Sequence, residues 1–327
     1  MMVYIALSMA YNNVANKHRI KKWSIFMNLY NDLCSITGEK NVLRDELMSG
    51  HTTFRIGGPA DYFVMPSSAD EIRKITALCT EQEIPYYIIG NGSNLLVGDK
   101  GYRGVIIQVF MNMRAIETDG ELIRAQAGAL LSKVAAAAYE AGLEGFEFAS
   151  GIPGTLGGAV RMNAGAYGGE IREVLKSADV LTSEGEVLTL PVEEMKMGYR
   201  TSIVSKMDYV VLGAELVLSK GNKEDIRAKM DELKEKRVAK QPLEFGSAGS
   251  TFKRPEGYFA GKLIEDAGLR GFRVGNAQVS EKHCGFVINR GGATAQEVVE
   301  LMETIVRRVE ENSGVRLEPE VKRIGEF

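Results

Sequence analysis

Residues 151–168 form the segment that most constrains how this chain can fold. Glycine recurs throughout it, and Arg161 is its only charged residue. Such a segment gives up side-chain packing and costs backbone entropy, so it needs a compensating interaction. Apolar residues such as Ile152 and Val160 alternate with the glycines, which favours burial over a flexible loop. We therefore expect this segment to lie against a flat or phosphorylated ligand.

A second glycine-rich segment, residues 90–95, follows the apolar run at 86–89. Glycine permits positive φ angles and lets a ligand approach backbone N–H groups closely, while Ser93 and Asn94 add hydrogen-bonding side chains. The spacing differs from the dinucleotide-binding fingerprint, because Leu95 stands where the third glycine belongs and no helix is predicted to follow. The segment predicts either a pyrophosphate-binding loop or a tight hairpin turn.

Composition and charge argue against several classes of protein. The 327 residues carry a formal net charge of −3, whereas general nucleic-acid binding needs a basic surface. No apolar run approaches the roughly 20 residues of a membrane-spanning helix, so no membrane insertion is expected. The three cysteines and three histidines lack the spacing of a metal site. We expect a cytoplasmic enzyme without a bound metal.

Local patterns divide the chain into an N-terminal extension and three units. Residues 1–26 carry no secretory signal, because their apolar stretch precedes their basic cluster. They predict a disordered extension, a short amphipathic helix, or an artefact of a start codon placed before Met27. The three units are predicted at 27–97, 98–219 and 220–327. Each mixes helices with strands, so the predicted fold class is α+β.

Several elements within these units have clear sequence signals. Residues 52–66 predict two short strands joined at a Gly-Gly-Pro turn, and residues 103–110 predict an apolar strand of the second unit. Residues 222–240 predict a charged helix that begins the third unit. Thr294 and Glu297 form a capping box that begins a long amphipathic helix.

Two glycines mark the ends of other elements. Glu184-Gly185 predicts the turn of a hairpin, and Gly142 predicts the end of an Ala-rich helix.

Three further motifs are weak when each is taken alone. Residues 249–255 predict a turn of small residues with adjacent cations, and Tyr199 and Arg200 resemble an ordinary surface pair. Residues 317–321 predict a strand that carries two carboxylates on one face, although its proline would disturb a central ladder. A polar edge strand is the ordinary explanation of that last motif.

Taken in order, these segments resemble the UDP-N-acetylenolpyruvoylglucosamine reductases, the MurB family of peptidoglycan synthesis. The resemblance covers about residues 52–327 and rests on five motifs, GNGSNLLV, GIPGTLGGAVRMNAGAYGGEI, YRTSIV, KQP with GSAGSTFKRP, and LEPEV. It implies an α+β fold with a two-part FAD-binding domain of the vanillyl-alcohol-oxidase/PCMH type. A C-terminal α+β substrate-binding domain would follow. The two FAD-binding subdomains would be 27–97 and 98–219, and the substrate-binding domain 220–327.

The resemblance also implies a reaction and its cofactors. Members of the family bind FAD noncovalently and reduce it with NADPH. They then reduce UDP-N-acetylglucosamine enolpyruvate to UDP-N-acetylmuramate. A monomer is expected. The implied FAD-binding residues are Gly90, Asn91, Gly92, Ser93, Asn94, Leu95, Gly151, Ile152, Pro153, Gly154, Thr155, Gly157, Gly158, Asn163, Ala164 and Gly165.

The same resemblance implies residues for catalysis and substrate binding. Arg200 and Glu320 would polarise the substrate carboxylate, and Ser250 would protonate C2. Lys240 matches a lysine that contacts the nucleotide-sugar diphosphate. Arg254 stands where the best-known members have asparagine. The short spacing between Arg200 and Lys240 leaves no room for the insertion that carries a tyrosine lid, so the chain resembles the second type of the family.

Two other functions remain open at this point. A flavin-dependent oxidase of the same fold would often attach its flavin covalently through His or Cys. Residues 52–282 contain no His but do contain Cys79. A non-enzymatic binder of flavin or nucleotide sugar is the other alternative. The joint retention of Arg200, Ser250 and Glu320 argues against it.

Overall fold

The computed structural model describes residues 28–327, so the predicted extension at 1–26 lies outside the described residues. Within the described part, no helix is both long enough and apolar enough to cross a membrane. The helices are α1 (28–37), α2 (Ala69–Glu81), α3 (Leu131–Glu140), α4 (Leu156–Met162), α5 (Ile203–Lys206), α6 (Lys223–Lys240), α7 (Ala260–Asp266) and α8 (Ala295–Ser313).

The strands form three main sheets and three short pairs. They are β1 (Val42–Leu47), β2 (Pro59–Val64), β3 (Tyr86–Ile89), β4 (Leu95–Val97), β5 (Tyr102–Gln108), β6 (Ile116–Asp119), β7 (Leu122–Gln126), β8 (Leu143–Glu144), β9 (Gly165–Ala166), β10 (Gly169–Glu170), β11 (Leu175–Leu181), β12 (Val187–Pro191), β13 (Val210–Val217), β14 (Ser219–Lys220), β15 (Arg273–Val274), β16 (Ala277–Val279), β17 (Val287–Asn289) and β18 (Lys322–Ile324).

The first subdomain is a four-stranded sheet in the order β1-β2-β5-β3, with β5 parallel to both of its neighbours. Helices α1 and α2 cover one face, where Leu33 and Ile75 pack against Val105 and Ile107. Side chains alternate across a strand, so Ile106 points to the opposite face and joins a separate core cluster. Both faces of the sheet are therefore buried at β5.

Two predictions for this region are wrong. The strand predicted for the second unit is β5, which is a central strand of the first sheet, so the boundary between 97 and 98 falls too early. Residues 52–57 form turns and irregular backbone rather than a strand. The Gly-Gly-Pro turn that follows them packs closely on another loop, because a Cβ at Gly58 would lie 2.1 Å from the carbonyl oxygen of Asp99.

The second subdomain is a five-stranded antiparallel sheet in the order β12-β11-β13-β7-β6. The hairpin β11–β12 turns at Gly185, which has a φ of +84°, as the Glu184-Gly185 signal predicts. Helix α3 is followed by Gly142 at a φ of +69°, a left-handed conformation that favours glycine after a helix. Both local signals are confirmed.

Helix α6 packs on the second subdomain rather than opening the third unit. It contacts α3 and the 3-10 turn Glu147–Ala149, and its Met230 packs against the core of the second subdomain. Its C-terminal Arg237 lies against Gly151. The predicted boundary between 219 and 220 therefore falls too early, because Met230, on the apolar stripe of this helix, packs against the preceding core.

The C-terminal domain places α8 against α7 and against the short sheet β15-β16-β17. The predicted capping box is confirmed, since Thr294 Oγ1 accepts from the Glu297 amide at 3.1 Å and Glu297 Oε2 accepts from the Thr294 amide at 3.1 Å. Gly314 ends the helix in the left-handed region, at a φ of +70°.

The end of the chain returns to the first subdomain. Strand β18 pairs in parallel with β4, directly after the first glycine-rich loop. The predicted strand at 317–321 is wrong, because those residues make only an isolated bridge between Pro319 and Phe252. Asp99 also connects the first subdomain to the C-terminal domain, because its carboxylate accepts from the amides of Ala295 at 2.8 Å and Gln296 at 3.0 Å at the start of α8.

We predict that Asp99→Ala lowers the free energy of unfolding by about 1 kcal/mol, because it removes a charged cap from the N-terminus of α8. Urea denaturation measures the change. The matched control is Asp119→Ala, which removes an exposed pair with Arg124 at 3.6 Å and should cost less than about 0.5 kcal/mol. Equal losses in the two variants would contradict the capping role.

Candidate active site

A pocket of about 410 Å³ lies between the second subdomain and the C-terminal domain. It brings together three of the predicted residues, Arg200, Ser250 and Glu320, which are far apart in the sequence. Arg254 also lines the pocket, whereas Lys240 does not. The pocket is therefore built from a turn, a loop and a segment near the C-terminus rather than from one motif.

Arg200 lies at the tip of a two-residue turn. Gly198 and Thr201 close this turn through two backbone hydrogen bonds, at 3.0 and 3.2 Å. Arg200 itself has a φ of +55°, a left-handed conformation that is uncommon for a residue with a side chain. Strain of this kind costs free energy and persists where surrounding contacts determine the conformation, often at functional sites.

The Arg200 guanidinium pairs with Glu320. Its Nε donates to Glu320 Oε1 at 2.7 Å, and the two side chains are only 19% and 9% exposed. Burial raises the pKa of the Glu320 carboxyl, and the charge and hydrogen bond of Arg200 partly oppose that rise. The second oxygen, Glu320 Oε2, is buried and has no hydrogen-bond partner among the described residues. A buried acceptor of this kind is costly unless a ligand or a proton satisfies it.

The two carboxylates of the 317–321 motif do not share a face, contrary to the prediction. Glu318 is exposed and pairs with Lys253, whereas Glu320 is buried in the pocket. The irregular backbone of the segment removes the alternation that a strand would impose. Only Glu320 is therefore available to the pocket chemistry.

Ser250 is held beside Glu320 by its buried neighbour Thr251. The Thr251 amide donates to the Gly285 carbonyl at 2.9 Å, and its carbonyl accepts from the Glu320 amide at 2.9 Å. Its hydroxyl accepts from the Val287 amide at 2.9 Å. Ser250 is exposed in the pocket, and its hydroxyl bonds to no atom of the described chain. This hydroxyl is therefore free to reach a ligand.

The cations of the pocket differ in part from those predicted. The Arg254 guanidinium lies 4.0 Å from the centre of the Phe259 ring, and the Arg254 amide donates to the Tyr199 hydroxyl at 3.0 Å. Lys240 ends α6 and is exposed outside the lining. Lys262, Arg270 and Lys282 line the pocket instead, together with His283. No local sequence signal distinguishes these cations from surface residues.

His283 presents an imidazole ring to the pocket. Burial lowers its pKa, and the charges of Lys240 and Arg270 lower it further. Its Nδ1 lies 3.1 Å from the Gly285 amide and accepts that hydrogen bond. The ring proton of the neutral form is therefore on Nε2.

The two glycine-rich segments lie against each other. Asn91 Nδ2 donates to the Pro153 carbonyl at 2.7 Å, and a Cβ at Gly90 would lie 2.1 Å from Thr155 Oγ1. Sixty-two residues separate Asn91 from Pro153 in the sequence. Only glycine allows the contact at position 90, which explains its presence there.

Residues 90–95 form a strand-to-strand loop with free backbone donors. The carbonyls of Gly92 and Asn94 accept from the amides of Thr53 and Lys322, which anchors the loop. The amides of residues 91–94 donate to no atom of the described chain. Consecutive free N–H groups make an anion-binding concavity. The loop therefore fits a pyrophosphate such as that of FAD, and the alternative of a simple hairpin turn does not explain the free donors.

The second glycine-rich segment is not a continuous loop, because α4 occupies Leu156–Met162. Gly157 is buried in this helix, where its amide donates to the Ala127 carbonyl and a Cβ would lie 2.8 Å from Ala127 Cβ. Asn163 has no exposed surface. These two residues pack the protein interior, so neither presents surface to a cofactor in this structure.

The remaining predicted residues divide in the same way. Gly92, Leu95, Thr155 and Ala164 are buried, with Leu95 in the core of the first subdomain, so only slight surface of each is available. The exposed or half-buried ones are Gly90, Asn91, Ser93, Asn94, Gly151, Ile152, Pro153, Gly154, Gly158 and Gly165.

Two protein families match this chain. The FAD binding domain matches residues 60–191, which spans both of the first two subdomains. The UDP-N-acetylenolpyruvoylglucosamine reductase C-terminal domain matches residues 241–324 and so begins directly after α6. The predicted α+β fold, with an FAD-binding domain followed by the C-terminal domain of the reductase family, is confirmed.

Relatives align along nearly the whole chain. A UDP-N-acetylenolpyruvoylglucosamine reductase of Lachnoclostridium phytofermentans is 53% identical over 299 residues, which cover 90% of this chain and 96% of the relative. Its counterpart in Clostridioides difficile is 51% identical over 298 residues, or 91% and 98% of the two chains. The crystal structure of the Thermus caldophilus reductase superposes with a TM-score of 0.74 at 36% identity, covering 86% of this chain and 98% of the other.

We predict that Gly92→Ala abolishes retention of FAD. Gly92 has a φ of +61°, and a Cβ there would lie 2.1 Å from the His51 carbonyl oxygen, so the loop and its amides must move. The matched control is Gly120→Ala, which has a φ of +63° but no atom within 4 Å of the added carbon. Flavin absorbance of the purified proteins measures the effect. We call the free amides of residues 91–94 the cradle. A Gly92→Ala protein that retains as much flavin as the Gly120→Ala protein would contradict the role of the cradle in binding FAD.

Proposed function

Because this chain belongs to the UDP-N-acetylenolpyruvoylglucosamine reductase family, we propose that it reduces UDP-N-acetylglucosamine enolpyruvate to UDP-N-acetylmuramate. This is an oxidoreductase step in the synthesis of peptidoglycan precursors. NADPH is the proposed reductant and noncovalent FAD the cofactor. The observation that carries the proposal is the convergence of Arg200, Glu320 and Ser250 in one pocket.

Residues of both glycine-rich segments would hold FAD. The free amides of residues 91–94 would bind its pyrophosphate, and residues 151–154, which contact the loop through Asn91, would line the same site. The chemistry that the bound cofactor supplies is hydride transfer from N5 to C3 of the enol ether, after reduction by NADPH. The remaining tasks, which are orientation of the substrate, stabilisation of charge and donation of a proton, fall to side chains of the chain itself.

Arg200 stabilises the charge that develops as C3 gains hydride. Negative charge then appears at C2 and spreads into the substrate carboxylate, and a preorganised donor lowers the energy of that state. The guanidinium is fixed by the turn and by Glu320, so little reorganisation is needed. In the low-dielectric pocket this interaction is worth more than it is in water.

Glu320 can stand beside a substrate carboxylate if it carries a proton. Burial already raises its pKa, and a second carboxylate nearby raises a pKa further. Protonation would also satisfy Oε2, which is buried without a partner in the described part of the chain. Neutral Glu320 then donates a hydrogen bond to the substrate rather than repelling it.

Ser250 is the proposed donor of the proton to C2. A serine hydroxyl is a weak acid in water, but the carbanionic C2 is far more basic, so transfer is favourable once geometry is fixed. The neighbouring Thr251 supplies that geometry through its hydrogen bonds to Gly285, Glu320 and Val287. The hydroxyl itself remains free to reach the substrate.

Two cations are proposed for the diphosphate of the substrate. Arg254 lines the pocket and presents a planar guanidinium suited to phosphate oxygens. Lys240 lies outside the lining of the pocket, near His283. Its proposed role is therefore limited to electrostatic attraction of the substrate diphosphate at the pocket entrance.

A noncovalent flavin also agrees with the position of Cys79. This thiol is fully buried in the core between α2 and the first sheet, and burial raises its pKa to about 12. A buried protonated thiol is a poor nucleophile. Covalent attachment of flavin through Cys79, which a related oxidase could use, is therefore unfavourable. Release of the yellow colour by acid precipitation tests this directly.

The anaerobic assay of the two half-reactions tests the proposed function. NADPH should bleach the flavin absorbance, and UDP-N-acetylglucosamine enolpyruvate should restore it with formation of UDP-N-acetylmuramate. Failure of NADPH to bleach the flavin absorbance would contradict the assignment of NADPH as the reductant. Failure of the enolpyruvyl substrate to restore the absorbance would contradict the proposed reaction.

We predict that Ser250→Ala leaves flavin reduction by NADPH nearly intact and slows reoxidation by the enol ether by roughly 10²–10⁴-fold, the usual contribution of a positioned proton donor. Stopped-flow absorbance separates the two steps. The control is Ser247→Ala, three residues upstream and outside the pocket lining, which should change neither step. Equal losses in both steps for Ser250→Ala would contradict the proton-donor role.

A further inference from the structure

We propose that Asn94 and Asn163 are positioning residues that tie the two cofactor segments to the Arg200–Glu320 pair, so that binding of FAD sets the placement of that pair. Each asparagine belongs to one glycine-rich segment, and each donates its side-chain amide to the backbone that carries one member of the pair. The inference rests on the proposed function, because it concerns the same pocket and the same reaction.

Asn94 connects the first segment to Glu320. Its Nδ2 donates to the backbone carbonyl of Glu320 at 3.3 Å, and its own carbonyl accepts from the Lys322 amide at 3.0 Å. The two bonds bracket the segment from Glu320 to the start of β18. The Asn94 amide N–H is one of the free donors of the cradle, so this one residue faces the cofactor site and the carboxylate segment together.

Asn163 connects the second segment to Arg200. Its Nδ2 donates to the Gly198 carbonyl at 3.2 Å, within the turn that presents Arg200, and also to Glu170 Oε2 at 2.9 Å. Its Oδ1 accepts from the Arg172 amide at 3.0 Å. Both N–H donors and the oxygen of the side-chain amide are thus engaged. With no exposed surface, Asn163 acts on the pocket only through the turn.

The conformation of Asn163 supports this assignment. Its φ of +45° and ψ of +59° lie in the left-handed region, where asparagine is tolerated better than most residues. Glycine would also fit that backbone and would be the simpler choice after α4 if only the helix end mattered. The side-chain amide is therefore needed for its bonds to Gly198, Glu170 and the Arg172 amide.

The Asn94–Glu320 and Asn163–Gly198 hydrogen bonds, the two links, both fix segments that meet at the Arg200–Glu320 hydrogen bond. Arg200 Nε and Glu320 Oε1 are 2.7 Å apart, and each belongs to a segment fixed by one of the asparagines. A displacement of about 1 Å in a catalytic group can cost about 10²-fold in rate. Loss of either link lets one partner of the pair move without disturbing the cradle amides directly. The consequence should therefore appear in reoxidation of the flavin by substrate rather than in its reduction.

The experiment compares Asn94→Ala with Asn112→Ala. Asn112 makes the same kind of bond, from Nδ2 to the Met65 carbonyl at 2.8 Å, but does not line the pocket. In proteins saturated with FAD, Asn94→Ala should slow reoxidation by the enolpyruvyl substrate about 10–10²-fold, a clearly larger loss than in the reduction by NADPH. Asn112→Ala should match the parent in both steps. Parent-like reoxidation in Asn94→Ala would overturn the proposal.

A second variant tests the other link. Asn163→Gly keeps the left-handed backbone while removing the side-chain amide, so the protein should fold and bind FAD. The same selective loss of reoxidation is expected. If this variant fails to fold, Asn94→Ala still decides the proposal. If the parent protein itself fails to be reoxidised by the substrate, the proposed function fails and not the positioning role alone.

Hydrogen–deuterium exchange supplies a readout that does not depend on turnover. In the parent protein, FAD should slow exchange in the peptide 317–324, whose Glu320 and Lys322 amides bond to Thr251 and Asn94. Asn94→Ala removes the side-chain bond to the Glu320 carbonyl but keeps the bond between the Asn94 carbonyl and the Lys322 amide. Protection by FAD should therefore weaken at the Glu320 amide, while FAD still protects the 91–94 loop. Equal protection of 317–324 in both proteins would overturn the link.

Discussion

The hydrogen bond between Arg200 and Glu320 is the constraint on which the rest of the structure depends. Both side chains are largely buried, and their residues are 120 positions apart in the chain. A buried ion pair gains little net stability, but removal of one partner typically costs about 3–5 kcal/mol. The fold therefore has to deliver two distant segments to one point with little freedom, and that requirement explains several features that look unrelated in sequence.

One such feature is the return of the C-terminal end of the chain to the first subdomain. The parallel pairing of β18 with β4, and the cap that Asp99 gives to α8, fix the C-terminal domain next to the first glycine-rich loop. Glu320 lies just before β18, so the same pairing that closes the fold also sets the depth of the carboxylate. The first glycine-rich loop and the Glu320 carboxylate are thus neighbours because of the pairing between β4 and β18.

Local chemistry was predictable from the sequence, and long-range pairing was not. The capping box of α8 and the turn at Gly185 depend on residues within a few positions of each other, and both are confirmed. The sheet to which residues 102–108 belong depends on partners elsewhere in the chain, so an apolar strand there could not be assigned correctly. The same limit explains α6, whose apolar stripe does not specify which core it covers.

Some residues of the candidate site were also predictable from local motifs, whereas others depend on the folded structure. Motifs in order indicated Arg200, Ser250 and Glu320, and the structure brings them together. The burial of Asn163 could not be predicted, because a glycine-rich segment gives no sign that a short helix interrupts it. The pocket cations Lys262 and Lys282 were likewise invisible, since exposed lysines in helices and turns carry no local signal.

A double-mutant cycle on the central ion pair tests this account most directly. Arg200→Gln, Glu320→Gln and the double variant would be compared with the parent in anaerobic reoxidation of the flavin by UDP-N-acetylglucosamine enolpyruvate. Groups that act as a unit are strongly non-additive, so the double variant should lose hardly more rate than the worse single variant. Losses that simply multiply would show that the two residues act independently, and would contradict the account.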